Sequence, residues 1–208
     1  MNPDDAVTLD SMAFGVTLGT VLDTKDPQGW GRVKVRFILM DASIESDWLQ
    51  IVSFFGGPDY GAFFLPQIGD SALLSFANGD ASRAYVLGFL WNGAQLPPVA
   101  AAQQQDLRMI KTRSGKTVLL DDSDEGKGRI VIVDNNNNRI QIDTASNTIS
   151  ISSEGDLAIS AKGTLTLSGA QVAVQNSAGS VKATLTDTAM QLQGGQNLAL
   201  SATMIDLN

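Results

Sequence analysis

Apolar and polar residues alternate in short runs along most of this chain, and a period of two is the mark of half-buried β-strands. In residues 31–40, GRVKVRFILM, Val33, Val35 and Phe37 fall on one face and Arg32, Lys34 and Arg36 on the other. Residues 47–55 form a second, flatter run. Ser71–Phe76 and residues 84–91 read as a hairpin, because Asn78-Gly79-Asp80 between them tolerates the positive φ of a tight turn. With residues 15–22 counted, this makes about five strands in roughly 75 residues, the scale of an OB-type barrel.

From Ile130 onward the pattern becomes quasi-periodic. Short alternating segments start at residues 130, 139, 148, 157, 165, 172, 181, 190, 198 and 204, with Asn, Gly and Ser marking the turns. One face of each segment holds Ile, Val, Leu or Met; the other holds Ser, Thr, Gln, Asp or Lys. The expected inward positions include Ile140, Ile142, Ile149, Ile151, Leu157, Ile159, Leu165 and Leu167. One strand per short repeat cannot enclose a core by itself. Three identical chains can, each supplying strands to the faces of a triangular prism whose apolar residues meet on the axis. The repeat length therefore predicts a homotrimer with those eight residues in its core. At the usual strand spacing the prism is ~45–50 Å long.

Composition separates the two patterns. All aromatic residues lie at or before Trp91 and all prolines at or before Pro98, while residues 99–208 contain neither. A narrow prism has room for aliphatic side chains only, which accounts for the break. The expected organisation is all-β: an N-terminal arm over residues 1–14, an OB-fold domain over 15–94, a linker over 95–107 containing Pro97-Pro98, and a trimeric, intertwined β-helix or prism over 108–208. Gly31, Gly69 and Gly88 are expected at tight turns or close strand approaches, and Trp48 and Trp91 in a core or a subunit interface.

Charge and residue content narrow the function. Net charge is −8, which disfavours a phosphate backbone as partner. Arg32, Lys34 and Arg36 on one strand raise an oligonucleotide-binding OB face as an alternative, but a solvated or subunit-facing row is the expected role. The chain has no Cys and no His. Thiolate nucleophiles, Cys/His zinc sites and the common neutral-pH proton shuttle are thereby excluded. Gly115-Lys116-Thr117 echoes a phosphate-binding loop, but Ile110 stands where that loop needs Gly. The acids at 121, 122, 124 and 125 lack the ligand spacing of a calcium loop. No catalytic residue, metal site or cofactor is expected, and the chain reads as a non-enzyme. The first ten residues have early acids and no basic, apolar leader pattern, so no signal peptide is expected.

Particular residues point to one family. Gly19-Thr20-Val21, Asp26-Pro27 and residues 31–37 resemble the opening of the OB domain in phage baseplate assembly protein V and the VgrG spikes. Trp48, the Phe64-Leu65-Pro66-Gln67-Ile68-Gly69-Asp70 turn, Gly79-Asp80 and Val86-Leu87-Gly88 follow in the same order. Ile110-Lys111-Thr112-Arg113-Ser114-Gly115 and the acids after Leu119 are similar to the passage that leads from OB domain to β-helix in those spikes. The resemblance implies a structural central spike at the baseplate tip of a contractile injection system. Its implied partners are two further copies of itself, a hub or inner-tube protein at the N-terminal end, a PAAR-type tip protein at the C-terminal end, and the target cell envelope on contraction. Nucleic acid is not among them. Leu198, Leu200, Ile205, Leu207 and Asn208 are the expected tip-protein platform. The implied location is assembly in the bacterial cytoplasm into a phage tail or tail-like particle, then the virion or extracellular particle. A trimeric β-helical fibre or adhesin remains the other structural reading.

Overall fold

The computed structural model describes residues 15–39, 42–124, 126–197, 199 and 203–204. Their regular structure is strand, apart from two single-turn 3-10 helices at Ala77–Gly79 and Ala101–Gln103. Residues of the expected N-terminal arm lie outside this set.

The N-terminal sheet is built from β1 (Val16–Asp23), β2 (Lys34–Leu39), β3 (Ala42–Glu45), β4 (Gln50–Ile51), β7 (Ser71–Phe76) and β8 (Ala84–Leu90). A small antiparallel ribbon, β5 (Gly56–Gly57) with β6 (Tyr60–Gly61), projects from the connection between β4 and β7. The six strands run in the order β3-β2-β1-β7-β8-β4. All neighbours are antiparallel except β4, which pairs in parallel with β8. The sheet curls back on itself through one further link, the Val33↔Leu49 bridge, whose two N–H···O bonds are 3.0 and 2.8 Å long. The ladder is thus not continuous round the ring.

The alternation in residues 31–40 is realised in space. Val33, Val35 and Phe37 point into the core with Val21, Leu49, Ala72, Leu74, Phe76, Ala84 and Val86. Phe37 and Phe76 stack there with tilted rings 5.7 Å apart. The Asn78-Gly79 turn closes the β7–β8 hairpin with both residues at positive φ, 54° and 76°. The flat run at 47–55 differs from expectation: it yields only the two-residue β4, while β3, which lacks a long apolar run, pairs along the β2 edge. Gly31 and Gly69 both take left-handed φ, and Gly88 faces the β7–β8 bulge. Neither Trp48 nor Trp91 enters the barrel core. Trp48 is half-buried beneath the Lys34 ammonium, and Trp91 is 70% exposed at the end of β8.

The start of the linker is tied to the barrel. Gln95 Nε2 donates to the Gly69 carbonyl (2.9 Å), and Asn92 Nδ2 donates to Ser71 Oγ (2.8 Å). Beyond it comes a five-stranded meander: β9 (Leu107–Lys111), β10 (Thr117–Asp121), β11 (Arg129–Val133), β12 (Arg139–Asp143) and β13 (Thr148–Ser152). A separate three-stranded sheet holds β14 (Gln171–Gln175), β15 (Lys182–Thr186) and β16 (Met190–Gln193), in that order. Six of the expected repeats are therefore strands. Those at 157–161 and 165–169 join no ladder within the single chain.

The chain divides into two compact units. One runs to Asn135 and takes in Ile140–Ser150; the other holds Asn136–Arg139 and continues from Ile151. Within one chain the described repeats form these antiparallel sheets and no closed prism.

Candidate functional site

The most distinctive surface is one face of the β9–β13 meander. Cross-strand partners in an antiparallel ladder share a face. Val118 lies opposite Ile110 on one side and Ile132 on the other; Leu120 lies opposite Arg108 and Ile130. The residues between them belong to the other face, where Leu119 sits between Met109 and Val131, and Val131 is buried. The first face is open: Ile110, Val118, Leu120, Ile130 and Ile132 are 37 to 56% exposed. In β12 the isoleucines are again the exposed positions, and Arg139, Gln141 and Asp143 the more covered ones. Burying the open half of one such side chain stabilises by on the order of 1 kcal/mol. A contiguous row of this kind marks an interaction surface.

The opposite face is fixed by a buried carboxylate. Asp121 accepts from Ser123 Oγ, from the Ser123 N–H (3.1 Å) and from Arg129 Nε (3.0 Å). The Ser123 hydroxyl first, then its N–H and the Arg129 guanidinium, hold this carboxyl below the usual carboxylate range against the opposing effect of burial. Gly128 passes so close that a Cβ there would lie 2.1 Å from the Asp121 carbonyl oxygen. At the β12–β13 turn Asp143 accepts from the N–H and the hydroxyl of Ser146, both at 2.9 Å, and its carboxyl is likewise lowered.

All eight residues expected in a trimer core are exposed in the single chain, from 43 to 73%. Ile140, Ile142, Ile149 and Ile151 sit on β12 and β13, while Leu157, Ile159, Leu165 and Leu167 lie outside the ladders. The three-stranded sheet repeats the design, with Val172–Leu185–Met190 and Val174–Ala183–Leu192 as cross-strand rows. The expected tip platform, Leu198, Leu200, Ile205, Leu207 and Asn208, lies outside the described residues.

The basic row that leads into β2 is locally engaged. Arg32 forms a two-pronged ion pair with Asp26, Nε to Oδ2 at 2.9 Å and Nη2 to Oδ1 at 2.8 Å, and its guanidinium lies 4.6 Å from the centre of the Trp30 ring. Asp26 also accepts from the backbone N–H groups of Gln28, Trp30 and Arg32. The Arg32 fork above all, with these N–H groups, holds the Asp26 carboxyl far below the usual carboxylate range. Arg36 pairs with Glu45 at 2.6 Å, and Lys34 stands 5.4 Å from the Trp48 ring centre. Sequence reading marked Asp26 only as part of a motif. Its spacing from Arg32 across two glycines was the available sign of a stapled loop.

Residues 50–65 form a surface that strand reading missed. Phe54, Phe55, Tyr60, Phe63 and Phe64 are all exposed, Phe54 at 86%. Part of this surface borders a cavity of about 550 Å³ with Trp30, Tyr85 and Phe89 in its wall. Among the described residues no group of three or more His, Cys, Asp or Glu is placed to hold a metal ion, and no helix is long and apolar enough to cross a membrane.

Comparison with known proteins is consistent with an OB-fold domain in the N-terminal part of the chain. The sequence model of the type VI secretion system and phage-baseplate injector OB domain matches residues 17–91. The chain is 30% identical over 103 residues to the type VI secretion system spike protein VgrG5 of Pseudomonas aeruginosa. It is 29% identical over 110 residues to VgrG1a of the same species, and 26% over 103 residues to VgrG3 of Vibrio cholerae. These matches cover 48, 49 and 48% of this chain but only 13, 17 and 9% of the relatives, which are much longer proteins. The OB-domain match over residues 17–91 and these spike relatives together support the phage baseplate V and VgrG spike family for this chain.

Proposed function

We propose that this chain is a structural, non-enzymatic subunit of the central spike of a contractile injection system. The observation that carries the reading is the open isoleucine and leucine face that follows directly on an injector OB domain. Three copies facing their rows inward bury that face on a common axis, and the unladdered repeats at 157–161 and 165–169 find their strand partners on neighbouring chains. Many backbone and apolar contacts then break only together, which gives the slow unfolding that a piercing object needs.

In this reading the barrel end meets a hub or inner-tube protein and the distal end carries a PAAR-type tip, as the family resemblance suggests. The particle is assembled in the bacterial cytoplasm and acts on a target envelope. The engaged state of Arg32, Lys34 and Arg36 supports the spike over a nucleic-acid binder, because each cation is already held by an acid or an aromatic ring. Sedimentation velocity of the purified chain tests the proposal. The expected mass is three times the 22.0 kDa of one chain, and a folded single chain at micromolar concentration overturns it.

A further inference from the structure

Two further surfaces of the first compact unit bear on assembly, one apart from the isoleucine row and one that runs into its edge. One is convex. The ribbon of β5 and β6 turns at Pro58-Asp59, where Asp59 takes a left-handed φ of 60°. Its base is braced by the Ser53 hydroxyl, which faces the carbonyls of Phe55 (2.8 Å) and Ala62 (3.0 Å), and by the Ala62 N–H on the Phe55 carbonyl (2.9 Å). The Phe55 and Tyr60 rings pack 5.5 Å apart, and Tyr60 lies over Gly57, where a Cβ would overlap its ring. The ribbon is thus a braced aromatic knob with an acid at its tip. Asp59 is the only charged residue between Gln50 and Asp70.

The other surface is concave. A groove of about 580 Å³ is lined by Trp91, Pro97, Pro98, Val99, Leu120 and Arg108, among others. That is the size of a cleft that takes a drug-sized body. Arg108 is its only charged wall residue, and among the described residues no acid pairs with it; Nη1 donates to the carbonyls of Gln105 (2.8 Å) and Leu107 (3.1 Å). Nor does any described cation pair with Asp59.

We infer that the Pro58-Asp59 knob of one copy docks in the Trp91–Arg108 groove of the next copy, with Asp59 against Arg108. Knob and groove are both largely apolar, and their single charges are opposite in sign. Both belong to one chain, so the contact is head-to-tail, and three such contacts close into a ring. The groove shares Ile110, Val118 and Leu120 with the open sheet face, which makes the two contacts continuous. This inference rests on the three-chain reading above and adds a collar contact to the axial one.

The absence of native cysteine gives a clean crosslinking test. Full-length chains carrying Asp59→Cys are co-assembled with chains carrying Arg108→Cys, oxidised with copper phenanthroline and run on a gel without reductant. A disulfide requires Cα atoms within about 7 Å, so only apposed residues link. The expected result is a covalent pair in the mixture and none in either variant alone. No covalent pair from assemblies that still sediment as three chains overturns this contact and leaves the three-chain reading standing. A single-chain mass for the unmodified protein overturns that reading itself. A charge swap keeps the test open should the cysteine variants not assemble. Asp59→Arg and Arg108→Asp, each alone, are expected to weaken assembly about tenfold, and the pair together to recover it to within about twofold. Failure of the pair to recover, with both single variants folded, also overturns the contact. So does Asp59→Cys in the assembled trimer reacting with maleimide as fast as in the unfolded chain, the outcome expected if the knob faces a different protein.

Discussion

Gly19 in β1 lies so close to Val35 in β2 that a Cβ on residue 19 would stand 2.4 Å from Val35 Cγ1 and 2.9 Å from the Arg36 carbonyl oxygen. The first obstacle is a core methyl and the second is ladder backbone, so neither moves freely. Val35 is fully buried and Gly19 pairs with Phe37 in the ladder. Gly19→Ala therefore overpacks the barrel at its tightest strand crossing and costs about 2 kcal/mol. Thermal unfolding followed by Trp fluorescence checks it; an unchanged midpoint contradicts the close approach.

The loop between β1 and β2 gives a pH signature. The Asp26 carboxyl is depressed by the Arg32 fork and the loop N–H groups, so its contribution to stability is fully present above the ordinary carboxylate value near 3.8. It is lost progressively as pH falls below that value, because the proton then competes with Arg32. Asp26→Asn removes the charge and most of the fork. The variant is expected to be less stable than the parent at pH 7, and the gap is expected to narrow as the pH is lowered from 4 towards 2. Urea midpoints over that range measure it. A gap that widens on acidification contradicts the sign of the Asp26 shift.

Strand positions with one buried face were legible in the sequence. In residues 33–37 and in Ser71–Phe76, alternation and burial coincide, since one face packs on a core made by the same chain. The short β3 and the aromatic ribbon were not legible. β3 depends on the edge that β2 offers, and 54–64 carries its large apolar residues outward, against the usual meaning of such a run. In β11, the first of the repeats, alternation put Ile130 and Ile132 on one face, where they pair with Leu120 and Val118. It carried no information on what covers that face.

The isoleucine row separates folding from assembly. Ile142 is 43% exposed in the single chain, so an acid there burdens the fold of one chain little. On a threefold axis the same change brings three carboxylates together in an apolar setting, where burial and like charge both oppose ionisation. Ile142→Asp is expected to leave strand content by circular dichroism unchanged and to abolish the trimer in sedimentation velocity. Gln141→Ser, on the other face of β12, is expected to assemble normally. Equal effects of the two changes contradict the assignment of faces.

The barrel core answers to a different probe from the repeats. Every Trp and Tyr lies at or before Trp91, so intrinsic fluorescence reports the barrel, while far-ultraviolet circular dichroism reports all the sheets. Leu74 is fully buried in one cluster with Val21, Val35, Phe37 and Val86, all on strands of the same sheet. Leu74→Ala thus leaves a cavity and costs about 3 kcal/mol, within the range for a buried leucine. None of these neighbours belongs to β9–β16, so the repeats lose no packing directly. The fluorescence midpoint in denaturant is expected to fall, and the circular dichroism trace to split into an early phase with that new midpoint and a late phase at the parent position. A single transition, shifted equally in both signals, would instead show that the barrel and the repeats unfold as one cooperative body.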